Sequence, residues 1–141
     1  MDRRFGIFAR ALGAAVCLLA AVACSSQSQT KRGLTADGKA YVRNLQLSEI
    51  SMKATESYAM QTVTEIEGKI TNTGDRTIGF AEVTCIFYDR YGQVTKRERV
   101  PIIKTPVRPG DTRKFRLPFD DLPESWNRQM PQLVIATIDF S

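Results

Sequence analysis

The sequence predicts an all-β domain, an antiparallel immunoglobulin-like β-sandwich of six to seven strands, preceded by a cleaved leader and a flexible tether. Three observations lead there. β-branched and aromatic residues recur in short runs bounded by Gly, Pro, Asn and Asp, as strands and turns alternate in sandwiches and barrels. No segment between those runs reads as a crossover helix, which argues against a parallel sheet. Setting aside residues 1–23 leaves 118 residues, the size of one domain with a single core that needs no staples.

The first run, "YVRNLQLSEISMKA" (41–54), has Leu45 and Leu47 on one parity and Ile50, Met52 and Ala54 on the other. A strand cannot change faces, so a bulge near Ser48-Glu49, or two short strands, is expected. In "AMQTVTEIEGKITN" (59–72), Ile66, Gly68 and Ile70 face inward while Glu65, Glu67 and Lys69 face water. "NTGDRT" is a turn. "IGFAEVTCIFYD" follows as the most apolar strand, with Ala81, Val83, Cys85 and Phe87 on one face. "DRYGQ" turns the chain into "VTKRERVPII", where Pro101 has no N–H to give a ladder and marks an edge strand. "TPVRPGDT" is a further turn built on Pro109-Gly110. It leads to "RKFRLPF", with Phe115, Leu117 and Phe119 inward. "DDLPESWNRQMPQ" is a loop with room for one helical turn after Pro123, and "LVIATIDF" has the composition of a central strand.

The segment ahead of the domain sets the location. Arg3, Arg4 and Arg10 precede an apolar or small-residue run from Ala11 to Ala23. As a helix that run spans about 20 Å, against about 30 Å of bilayer hydrocarbon, so it suits a signal peptide rather than a membrane span. Two cutting modes compete. Ala21-Val22-Ala23 satisfies the small-x-small rule of ordinary signal peptidase. The same residues followed by Cys24 resemble a bacterial lipobox, with Ala21 where an aliphatic residue is usual; Cys24 would then be the first mature residue and carry lipid on sulfur. Residues 24–38 are polar and poor in large apolar side chains, the composition of a tether, and 39–141 form the domain. The expected location is the bacterial cell envelope, membrane-anchored and facing the extracytoplasmic side, in the periplasm if the cell is Gram-negative.

Composition narrows the chemistry. The chain has no histidine, which removes His-based nucleophile systems, imidazole acid–base work and His-ligated zinc. Three of the 20 bases and one of the 15 acids fall in residues 1–23, so the mature chain carries a mild +3. With Cys17 in the leader and Cys24 at the cut, Cys85 is the remaining thiol, read as a small core hydrophobe.

The stretch from Gly68 through Asn72, Tyr88-Asp89, Gly92 and Pro109-Gly110 to Phe115 resembles the FxLYD domain family of bacterial envelope proteins. Its namesake motif appears as "CIFYD", with Cys85 and Phe87 where Phe and Leu are expected. The resemblance covers residues 41–140 and implies a β-sandwich module of surface or envelope proteins, with no catalytic residues to carry across.

Candidate sites follow from residue type. Asp120, Asp121 and Glu124 lie near Trp126, but adjacent acids on an extended chain point to opposite sides, and no catalytic residue, metal ligand or cofactor is assigned. Lys96, Arg97, Arg99, Lys104, Arg108, Arg113, Lys114 and Arg116 would form a positive face if the strands carrying them lie side by side. Otherwise they guard a solvated edge. Trp126, with Tyr91 and Tyr58, suits either an exposed aromatic platform or a plug at the end of the sandwich, and Pro123, Met130 and Pro131 around it favour the plug. The expected function is a non-catalytic, lipid-anchored binding module. It would contact an envelope protein through the edge strand with Lys96, Arg97, Arg99 and Lys104; nucleic acid is excluded as a partner. The alternative is a secreted or periplasmic binder of a small anionic ligand or glycan that uses Trp126 and the basic set.

Overall fold

The computed structural model describes residues 32–56 and 61–141. Six strands form two three-stranded antiparallel sheets: β1 (Leu45–Glu56), β2 (Thr62–Asn72) and β5 (Thr112–Phe119) in the order β1-β2-β5, and β3 (Ile78–Tyr88), β4 (Val94–Ile103) and β6 (Gln132–Phe140) in the order β4-β3-β6. The chain changes sheets between β2 and β3, β4 and β5, and β5 and β6, so this is an all-β sandwich of the immunoglobulin-like kind. The proposed leader, Cys24 and the tether up to residue 31 lie outside the described residues, as does Tyr58.

Side-chain alternation builds the core. Ile66 and Ile70 of β2 and Ala81, Val83, Cys85 and Phe87 of β3 are fully buried, and Phe115, Leu117 and Phe119 of β5 nearly so. These are the inward positions that period-two reading assigns. Gly68 shares the inward row because the Phe115 ring lies over it: a Cβ built there would sit 2.5 Å from Phe115 Cζ. The face change in β1 is made by a bulge, as expected. Ser48 pairs with Lys69 and Ser51 with Glu67, and between them Glu49 takes φ 51°.

β4 lies at a sheet edge, with Pro101 in it, as the missing N–H requires. β6 was expected to be central and is instead the opposite edge of the same sheet. Its apolar composition has another cause. Leu133, Ile135 and Ile138 pack on or within the core, while outward Thr137 is covered by Arg99 and by the segment at Arg32, whose carbonyl accepts from Thr137 Oγ1 at 2.8 Å.

A helix that the sequence reading did not anticipate opens the domain. α1 (Ala36–Tyr41) begins inside the stretch expected as tether and occupies the start of the first expected strand, followed by a 3-10 turn over Val42–Asn44. Thr35 caps it by accepting from Gly38 N–H at 3.0 Å. Six residues cannot hold a helix alone in water. Burial of Tyr41 does so here: its ring meets Phe140 edge-on at 5.0 Å and its hydroxyl reaches Asn72.

Candidate functional site

The β5–β6 loop closes one end of the sandwich, and a turn from Pro123 O to Trp126 N–H stands where a helical turn was expected. Trp126 packs edge-on against Phe87 at 5.7 Å, and Phe87 in turn meets Phe119 at 5.1 Å. The indole is therefore a plug, in line with its apolar neighbours. The loop is sewn to the end of β3: Asn127 N–H donates to Tyr88 O at 2.9 Å and Asn127 Nδ2 to Asp89 O at 3.3 Å. Tyr91 stands apart in the β3–β4 turn, 78% exposed, with Arg90 over its ring.

Beside the plug lies a cavity of about 340 Å³ where β1 and β2 meet this loop. Met52, Thr64, Leu122, Pro123 and the half-buried Trp126 line its inner part, and the exposed Asp120, Glu124 and Arg128 stand at its mouth. Asp121 belongs elsewhere: it pairs with Lys96, which holds its carboxyl below the usual range. The structure thus gathers Asp120, Glu124 and Trp126 and separates Asp121 from the cavity. The contributions of Met52 and Thr64 were missed, because they depend on strand pairing that no local pattern in the sequence reveals.

The basic set is divided among β4, β5 and the connection between them, which holds Lys104 and Arg108. Acids from β2, β3, β4 itself and the β5–β6 loop hold much of it. Lys96 bonds Asp121 and lies 3.0 Å from Glu98; burial pulls its ammonium down, but these hydrogen bonds outweigh that and raise its pKa. Arg99 binds Glu82 at 2.6 Å, and Arg116 binds Glu65 at 2.6 Å. Lys104, Arg113, Lys114 and Arg116 line a second, shallower groove of about 230 Å³ between the β4 and β5 edges, with Arg113 only 3.9 Å from Asp111. Trp126 and the cations of that groove therefore do not share a cavity.

Cys85 has no access to chemistry in the folded state. It is fully buried, and burial, followed by the nearby Glu98 charge, pushes its thiol up from an ordinary 9.0 to about 12. A raised acid pKa favours the protonated thiol, so folding stability should be unaffected below pH 9 and fall as pH rises from there toward 12. A thiol-reactive disulfide reagent at pH 8 should leave Cys85 untouched until denaturant is added; labelling in native buffer would contradict this.

No family model matches this chain, and neither the curated proteins nor the solved structures yield a match. Among the described residues no three Cys, Asp or Glu side chains group as a metal site, and no helix is long and apolar enough to cross a membrane.

Proposed function

We propose that the chain is a non-catalytic binding module, exported and anchored through lipid on Cys24, that serves as an accessory component of a cell-envelope assembly by accepting a strand from a protein partner. The observation that carries this reading is the contrast among the four edges that two three-stranded sheets leave. β1 is bulged at Glu49 and carries Lys53; β4 carries Lys96, Arg97, Glu98, Arg99 and Pro101; β5 carries Arg113, Lys114, Arg116 and Pro118. Charge, proline and bulges are the devices that keep an edge from pairing. β6 has no Lys, Arg, Glu or Pro, its one charge, the exposed Asp139, lies near its end, and Val134 on it is 41% exposed. One bulge, at Ala136, leaves Gln132–Ile135 as the regular stretch open to strand addition.

The leader and Cys24 support the location, and the resemblance to envelope β-sandwich modules supports the class. Fully extended, the stretch from Cys24 to Arg32 reaches at most about 28 Å, so lipid on Cys24 would keep the domain close to the headgroups. In membranes carrying the full chain, Val134→Lys is expected to abolish cross-linking to a partner and the slow amide exchange that the partner confers on residues 132–135. Arg97→Glu is expected to preserve both. Loss with Arg97→Glu but not with Val134→Lys would move the contact to β4, and an unmodified N-terminal peptide in the soluble fraction would remove the anchor.

A further inference from the structure

We infer that the cavity beside Trp126 is a saccharide site, shaped for a neutral or amino-sugar mono- or disaccharide. Sugars present an apolar C–H face and a ring of hydroxyls that both donate and accept. The cavity offers a partner for each. The indole, with Met52, Leu122 and Pro123, gives an apolar bed, and at 340 Å³ it falls within the range of small-molecule pockets. At the mouth, Asp120 and Glu124 accept hydrogen bonds and Arg128 donates them.

Two features mark this cavity as more than a gap in packing. Trp126 Nε1–H is buried and has no acceptor among the described residues, an arrangement that native folds rarely leave in place. Arg128 holds φ 60°, a conformation uncommon outside glycine, in a turn where Asn127 Oδ1 accepts from Gln129 N–H at 2.9 Å. With Asn127 also bonded to Tyr88 O and Asp89 O, the guanidinium is carried on a fixed turn rather than a loose one. The charge balance selects within sugars: two carboxylates against one guanidinium disfavour uronic acids and phosphosugars, contrary to the anionic ligand that the basic residues suggested. Saccharide binding here and strand addition at β6 use different surfaces, so either can fail without the other.

Trp126 is the sole tryptophan, so the indole N–H gives one resonance in a ¹H–¹⁵N spectrum of the full mature chain. Diacetylchitobiose and cellobiose are the probes, against galacturonic acid and a lysine-containing pentapeptide. The expected result is a saturable shift of that resonance with at least one neutral disaccharide, weakened about tenfold by Glu124→Gln and by Arg128→Gly, which glycine's tolerance of positive φ makes safe for the fold. No shift up to the solubility limit of both disaccharides would overturn the assignment. So would a shift of equal affinity in both variants, or a response to the peptide or the uronic acid alone.

Discussion

Asn72→Ala is expected to lower the unfolding free energy by about 3–4 kcal/mol, near the upper end for a single substitution. The side chain is fully buried, and every bonding position of its amide is used. Oδ1 accepts from the Tyr41 hydroxyl at 2.9 Å and from Gly74 N–H at 3.2 Å, while Nδ2 donates to Arg76 O at 2.7 Å and Val107 O at 3.1 Å. Its backbone also joins the turn before β5, through Asp111 O and Gly110 N–H. One amide therefore ties α1, the β2–β3 turn and the β4–β5 connection together. Alanine removes all four bonds, each worth about 0.5–1.5 kcal/mol net, and leaves the half-buried Gly74 N–H without its acceptor, while Val107 O keeps Ile78 N–H at 3.0 Å. Asn72→Asp should do no better, since it turns a carboxylate oxygen toward two carbonyls in a buried site. Urea melts of the domain would measure the loss, and a midpoint shift worth less than about 1 kcal/mol would show that the corner does not depend on this network.

Phe87→Ala is expected to cost about 3–5 kcal/mol. The ring is fully buried between Phe119 and Trp126, so its removal leaves a cavity bounded by two rigid aromatic groups that cannot collapse into it. The near-ultraviolet signal of the single tryptophan should weaken in the same variant, because the indole loses its edge-to-face neighbour. Phe87→Leu should retain most of the stability, at a cost below about 1.5 kcal/mol. A Phe87→Ala variant that keeps wild-type stability and an unchanged tryptophan signal would mean that the plug is held by the loop's backbone bonds alone.

Strand parity was legible because burial follows period two wherever one face of a sheet meets the core. Ile66, Gly68 and Ile70, the β3 row and the β5 row could all be assigned from alternation. The bulge at Glu49 was legible for the same reason, since a parity change has few physical solutions. β6 was misplaced because an apolar strand looks alike whether a neighbour pairs with its far edge or not. α1 was missed because its stability comes from Tyr41 docking on residues 31 and 99 positions away, Asn72 and Phe140, rather than from any helical repeat. At the candidate site, Trp126, Asp120 and Glu124 were visible as neighbours in sequence, and Met52 and Thr64 were not. Pairing of the basic residues also escaped local reading: Arg99 meets Glu82 and Arg116 meets Glu65 across strands.

The contacts between the first and last described segments bear on how the chain could fold if it is exported as proposed. Threaded N-terminus first, a chain exported in that way would deliver residues 32–41 early and β6 last among the described segments. Tyr41 has no Phe140 to meet, Arg32 no Thr137 and β3 no second neighbour until those final residues have crossed. Closing such distant pairs is slow compared with forming local turns. Under that proposal the β1–β2 and β3–β4 hairpins could form early, while the sandwich would close its core only once β6 had crossed.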